Sequence, residues 1–335
     1  MVKYIIKRLL ISIIILLGVS IIIYTMVRLM PTDYVDTKFA SQLQSGTITQ
    51  ADIDHYKEQY GIGDNSFKGI VGGYFKWLGN MAKGDLGNSF KYEKPVATVI
   101  SENMWISFAI AIVATILQFA ISIPLGIISA THQYSVADYL VTIFTMIGLA
   151  LPTYFFGAIA IKFFAVDLGW LPAGGLISAT ADYAQNFAGT MAKLGDIIHH
   201  MILPIFVSVI LSLGGLMRYT RTNTLEVLNA DYIRTARAKG LSERTVIYKH
   251  AFRNTMIPLS TLLAGILPSL FGGMMITEEV FAIDGIGRIA YNALREGDVP
   301  FVMGYNMFLA ILSVIGTLLS DIMYSIVDPR VKLSK

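Results

Sequence analysis

Of 335 residues, 54% are hydrophobic and 15% charged, with a mean hydropathy of +0.60 and a formal net charge of +3. That apolar content exceeds what one soluble core uses, so a soluble globular protein is excluded and a polytopic membrane protein is indicated. Cysteine is absent, which rules out a disulfide framework, a thiolate metal site and a cysteine nucleophile.

Six stretches free of Asp, Glu, Lys and Arg are long enough to cross a hydrocarbon layer: 9–27, 103–137, 139–161, 199–217, 254–277 and 299–320. A layer of about 30 Å needs roughly 20 helical residues. Helices are the expected form, because in lipid each backbone N–H and C=O must be satisfied within its own segment, and the alternating pattern of barrel strands is missing. The first stretch follows Lys3, Lys7 and Arg8 and resembles a signal peptide. Its apolar run is longer than the roughly 7 to 15 residues of a signal core, so residues 1–30 read as a retained transmembrane anchor.

Residues 31–101 are mixed and polar, the length of a small external subdomain. Tyr56, Tyr60, Tyr74, Phe75, Trp77, Leu78, Phe90 and Tyr92 give it aromatic area to bury, unlike a disordered linker. Gly84-Asp85-Leu86-Gly87-Asn88-Ser89 reads as a turn cluster. Residues 102–330 then form a core of five spans with a polar loop at 218–256. Pro124 and Pro268 each remove a backbone donor and predict kinks. Gly214-Gly215 and Gly272-Gly273 allow close helix approach, either for packing or for gating.

With the N-terminus inside, the loop holds Arg218, Arg221, Arg234, Arg237, Lys239, Arg244, Lys249 and Arg253 on the cytoplasmic side, joined there by Arg330, Lys332 and Lys335. The outward loops near 167–198 and 278–298 hold only Lys193, Arg288 and Arg295. This bias obeys the positive-inside rule and places both termini in the cytoplasm.

Within the loop, Asp231-Tyr-Ile-Arg-Thr-Ala-Arg-Ala-Lys-Gly-Leu-Ser242 carries helix signals at both ends. Asp231 is placed to cap a helix, Gly240 to end it in the left-handed region, and Ser242 to cap the next. A short basic helix on the membrane face follows, serving either to dock a partner or to rest on anionic headgroups. No Gly-x-x-x-x-Gly-Lys-Ser/Thr phosphate loop occurs, so ATP hydrolysis is not expected of this chain.

Near the fifth stretch, Glu278, Glu279, Phe281 and the Gly285/Gly287 turn read either as a solvated loop edge or as part of an outer gate. Gln118, Met274 and Met275 line a pathway or simply pack, since thioethers tolerate varied contacts. His199, His200 and His250 lack a carboxylate at metal-ligand spacing, and Asp321 finds a structural partner in Arg330. His-Glu-x-x-His and Gly-x-Ser-x-Gly are absent and no span carries paired acids at its middle, which disfavours a membrane enzyme and an ion-coupled carrier.

Several motifs occur in order along nearly the whole chain. They run from Arg8-Leu9-Leu10 and the Gly84–Ser89 turn to Leu168-Gly169-Trp170-Leu171-Pro172-Ala173-Gly174-Gly175. His200-Met-Ile-Leu-Pro204, Arg218-Tyr-Thr-Arg221, residues 231–241 and His250-Ala-Phe-Arg-Asn254 follow. Glu278-Glu-Val-Phe281, Gly285-Ile-Gly287 and Asp328-Pro-Arg330 complete the set. Together they resemble the B-type permease subunit of bacterial oligopeptide/dipeptide ABC importers. Importers at large carry Glu-Ala-Ala, three residues and Gly in this loop, whereas Arg234-Thr235-Ala236 before Gly240 is similar to the peptide subfamily's form.

The resemblance implies an all-α membrane protein with six transmembrane helices of the type I importer permease kind and a small external subdomain after the first. It implies a coupling helix that docks in an ATPase cleft through Arg234, Thr235, Ala236, Arg237, Gly240, Leu241 and Ser242. Implied partners are a second, C-type permease, two ABC ATPases that use ATP and Mg, and an extracellular or periplasmic peptide-binding protein, all in or at the bacterial cell membrane. No cofactor is expected on this chain itself, and no nucleic acid. Related permeases carry nickel chelates, glutathione or sugars, so cargo other than peptide stays open within the resemblance.

Overall fold

A computed structural model describes residues 2–28, 39–40, 43–59, 66–260 and 262–327. Their helices are α1 (Val2–Arg28), α2 (Gln50–Gln59), α3 (Phe67–Ala82), α4 (Val96–Thr131), α5 (Val136–Ala150) and α6 (Thr153–Ala160). They continue with α7 (Phe187–Leu228), α8 (Asp231–Ala238), α9 (Glu243–Thr245), α10 (Phe252–Ser260), α11 (Leu263–Phe271), α12 (Met275–Val280), α13 (Ile286–Arg295) and α14 (Val299–Val327). Wide π-type turns at Ile161–Asp167 and Val246–Ala251 extend α6 and precede α10.

Among the described residues, four helices are long and apolar enough to cross a membrane, and five if the pair Val136–Ala150 and Thr153–Asp167, bent by 105°, is one span. The bend lies at Leu151-Pro152, where Pro152 disfavours helix in the residue before it and Leu151 is extended at ψ 126. Within the predicted stretch 254–277 the described residues form α10 and α11, with Pro258 and Pro268 inside them. Each proline removes a donor, and Gly273, at φ +71, turns the chain after α11. Pro124, by contrast, sits within the unbroken α4.

The described chain divides into two compact units. The first comprises residues 1–103 and 289–314. Its core joins Tyr24 of α1, Trp77 of α3 and Val299, Met303 and Met307 of α14. Ile70, Tyr74, Trp77, Leu78 and Met81 recur at helical spacing and form the stripe by which α3 reaches this core. Tyr74 meets Tyr24 edge-on at 5.6 Å and its hydroxyl lies 2.8 Å from that of Ser20. The Gly84–Ser89 turn is tied down by Asp298, fully buried at the head of α14. Asp298 accepts from the Ser89 hydroxyl and from the backbone N–H of Phe90 at 3.0 Å and Lys91 at 3.1 Å. Tyr56 and Tyr60 of the predicted aromatic set lie outside the residues whose side chains are described.

The second unit comprises residues 104–288 and 315–335. Its long axis is α7, 42 residues or roughly 60 Å at 1.5 Å per residue. Helix α5 packs antiparallel on α7 so closely that a Cβ on Gly214 would lie 2.6 Å from the Thr145 carbonyl oxygen. The expected close approach at Gly214 is therefore realised as packing. At the far end of this pair, Arg221 donates to both oxygens of buried Asp138, at 2.9 and 3.1 Å, and Ser129 and the Tyr134 N–H also donate to that carboxylate. The loop before α7 is anchored by Asp196, which accepts from Ser178 and, at 2.5 Å, from the Tyr183 hydroxyl. That hydrogen bond pushes the Tyr183 phenol up to about 12.

Candidate functional site

The polar loop folds as an elbow built on α8. Ile233 and Ala236, one turn apart, are buried with Val246 and Ala251 against Val227 and Leu228, so the helix has a small core of its own. The expected cap is displaced by one residue. Ala230 adopts the extended cap conformation at ψ 149 and offers no side-chain acceptor, which leaves Asp231 inside the first turn. There its charge complements the helix N-terminus, and it lies 3.6 Å from Arg234.

The C-terminal end matches the sequence reading. Gly240 has φ +76, its N–H donates to the Arg237 carbonyl at 2.9 Å, and the Leu241 N–H donates to that of Ala236 at 3.4 Å. This doubly bonded left-handed stop leaves little freedom in the turn. Ser242 accepts from the Thr245 N–H and caps α9, and Arg237 pairs with Glu243 across the turn at 2.8 Å. Ala236, grouped with the docking residues in the sequence, packs inward at 6% exposure. Arg234, Thr235, Arg237, Gly240, Leu241 and Ser242 are exposed, and a Cβ built on Gly240 would meet nothing within 4 Å. The elbow is thus a stiff wedge with a small-residue tip flanked by arginines.

The Glu278 region is no solvated rim. Glu278 is fully buried, and it accepts from the Ser107 hydroxyl at 2.7 Å and from the N–H groups of Met274 and Arg288, both at 2.9 Å. Glycine is required around it, because a Cβ on Gly285 would lie 2.5 Å from both Glu278 Oε2 and Ser107 Oγ. Ser107 Oγ in turn accepts from the Ile286 N–H at 2.8 Å, so one carboxylate and one hydroxyl hold α4, α12 and α13 together. Phe281 is also buried, in a core with Ile110, Ala160, Leu203 and Val207. Its carbonyl accepts from the Gly175 N–H at 2.8 Å, and a Cβ on Gly174 would lie 2.5 Å from that oxygen, which accounts for the Ala173-Gly174-Gly175 run. Arg288 turns its side chain away, to Glu279 and Asp284.

Met274 and Met275 line a recess of 520 Å³ with Thr153, Ser208, Ser212 and Thr277. Gln118 belongs to a different recess, of 370 Å³, and its amide donates to the Ser212 carbonyl at 3.0 Å. The five proposed gate and pathway residues therefore divide into two buried anchors, Glu278 and Phe281, and three recess-lining side chains. His200 is buried beside Asp196, four residues earlier and 3.3 Å away, so the sequence reading overlooked one carboxylate at ligand spacing. His199 lies 3.2 Å from the Trp170 carbonyl, and no group of three metal ligands occurs among the described residues. Arg330, the suggested partner of Asp321, lies outside the described residues.

The sequence reading missed three carboxylates: Asp138, Asp196 and Asp298. Asp196 and Asp298 each collect several donors from a neighbouring loop, and Asp138 collects its donors from α4, α7 and the loop between α4 and α5. For Asp138 a signal existed, since it is the only charge separating the stretches 103–137 and 139–161.

A family model described as "Binding-protein-dependent transport system inner membrane component" matches residues 122–333. The oligopeptide transport system permease protein AppB of Bacillus subtilis (strain 168) is 39% identical over 99% of this chain and 100% of its own length. The dipeptide transport system permease protein DppB of Alkalihalophilus pseudofirmus is 33% identical, over 99% and 100%. Among solved structures, an inward-facing form of the MetNI methionine ABC transporter contains a chain that superposes with a TM-score of 0.50 at 17% identity. The match covers 69% of this chain and 97% of that one, and it bears on the fold alone.

Proposed function

We propose that this chain, which belongs to the binding-protein-dependent transport system inner membrane component family, is the peptide-carrying permease subunit of an ATP-driven importer. The fold is that of a type I importer permease. Peptide cargo is supported by near-full-length relatives named for oligopeptide and dipeptide transport. In this reading the chain forms half of a translocation pathway with a second permease, two separate ATPases bind the cytoplasmic face, and a binding protein delivers cargo outside. The N-terminal anchor, the segment 31–101 and the core 102–330 keep the roles that their composition suggests.

The observation that carries the coupling role is the elbow. A lever must move as one body, and α8 has a buried underside, a doubly bonded C-terminus and an ion pair across its turn, all joined directly to α7. Its tip is exposed and small, as a helix entering a cleft on another protein requires. Rim arginines at 234 and 237 tune pairing and the rate of docking. ATP-driven closure of the ATPases would move the elbow, and the spans would follow by alternating access. The recess at Met274 and Met275, neutral and lined by thioethers, Leu211, Ile276 and a few hydroxyls, suits peptides of varied sequence.

Gly240 provides the test. Gly240→Asn keeps a side chain that tolerates the left-handed region, whereas Gly240→Leu pays the conformational penalty of about 1–2 kcal/mol as well. Because the space around Gly240 is open within the chain, both proteins should reach the membrane in normal amounts. Both should lose most uptake if the tip enters a cleft. Normal uptake by Gly240→Asn at normal membrane levels would refute docking at this point.

A further inference from the structure

The α5–α7 pair carries a recess to which the transport reading gives no role. It measures 280 Å³, and its lining includes Thr145, Met146, Leu149, Met217, Arg218 and Arg221. We propose that it is a binding site for one anionic phospholipid, with the phosphate on Arg218 and an acyl chain along Met146 and Leu149.

Three observations converge on that occupant. The first is charge. Arg221 is neutralised by its two hydrogen bonds to Asp138, while Arg218 makes no ion pair among the described residues and leaves one uncompensated positive charge at the mouth. An arginine fork matches phosphate oxygens.

The second is depth. Arg218 is the first charge after the apolar run 199–217, so it lies where the hydrocarbon ends and headgroups begin. The antiparallel register, Asp138 beside Arg221 and Gly148 beside Ile210, makes the groove run inward from that level. From Val141 to Leu149, the stretch of α5 that lines the recess, the helix rises roughly 12 Å at 1.5 Å per residue, which fits within one leaflet of a hydrocarbon layer of about 30 Å. The groove therefore has a cation at one end and lies within a single leaflet.

The third is the wall. Met146 and Leu149 are 66% and 56% exposed, so the outer side of the groove is apolar and unfilled by this chain. Its floor is fixed by the tight glycine crossing of α5 on α7 and by the Asp138–Arg221 pair, so the groove is present before any ligand arrives. The site is defined by bilayer geometry and is independent of what the transporter carries.

The test uses the assembled transporter in nanodiscs of phosphatidylcholine and phosphatidylglycerol at three to one, with retained lipid counted after transfer to detergent. The wild type should retain phosphatidylglycerol enriched over the bilayer ratio. Arg218→Gln should reduce that enrichment about five- to tenfold, and Arg218→Lys should largely keep it, because a single phosphate accepts a point charge. Met146→Trp fills the groove and should expel the lipid with the arginine intact. Inorganic phosphate should not compete. Absence of enrichment in the wild type, or enrichment unchanged by Arg218→Gln or by Met146→Trp, would overturn the site. So would a cross-link from Met146→Cys to the second permease in place of a photoreactive phosphatidylglycerol.

Discussion

Glu278 and Glu279 are adjacent and identical in type, yet the fold separates them completely. Glu278 is sealed inside with three donors pointing at it, and Glu279 makes a half-buried pair with Arg288 at 3.1 Å. Glu278→Gln sets an amide N–H₂ among those donors and should lower stability by about 1–3 kcal/mol, the cost of leaving buried groups unpaired. Glu279→Gln should change it by less than about 1 kcal/mol. Thermal unfolding of the purified protein in detergent distinguishes them, and equal shifts would contradict the buried hub. Gly285→Ala belongs to the same cluster and should also destabilise, because its methyl group has no room beside Glu278 and Ser107. Sequence alone marked the Gly285/Gly287 turn as special, but as a loop edge or part of an outer gate. What glycine provides at Gly285 is closeness to a carboxylate 7 residues away in the chain, and no local pattern announces that.

Among the elements, legibility followed how local each cause is. The stop at Gly240 was readable because the left-handed turn needs only its own residue type. The start was misplaced by one residue because backbone conformation at Ala230, set by the end of α7, outweighed the capping preference of Asp231. Apolar runs located the long helices well, α1, α4, α7 and α14 above all. Run length could not foresee that the third stretch bends by 105° or that the fifth turns at Gly273.

The α5–α7 crossing depends on a pair the sequence reading passed over, and it is testable. Asp138→Asn leaves Arg221 facing a neutral partner, and about 2–3 kcal/mol of stability should be lost, below the full cost for a buried pair because Arg221 is partly exposed. Combining it with Arg221→Met should recover part of that loss. Unfolding midpoints that simply add would show the two side chains to be uncoupled.

At the scale of the whole molecule, the chain is a set of apolar helices with one stiff polar elbow, and transport is a property of the assembly. Uptake into liposomes should require ATP together with the partner ATPases. Activity of the purified chain under a proton or sodium gradient alone would instead favour an ion-coupled carrier. Neither the second permease nor the ATPases can be read from this chain's own residues, because partner surfaces differ from other exposed surfaces only subtly. The exposed tip of the elbow is the exception, since its small residues and arginines are arranged on a rigid support.

The absence of cysteine makes the central claim directly measurable, because any cysteine introduced is the only one in the chain. Thr235→Cys and Leu241→Cys, both exposed, should each form a disulfide with a cysteine placed in the ATPase cleft of the assembled transporter, and Ala236→Cys, facing the elbow's own core, should not. Efficient cross-linking at 235 and 241 that varies with ATP is the predicted result. Failure of both to reach the ATPase, with either one labelled by a lipid-borne probe instead, would show that the elbow rests on the membrane and does not couple.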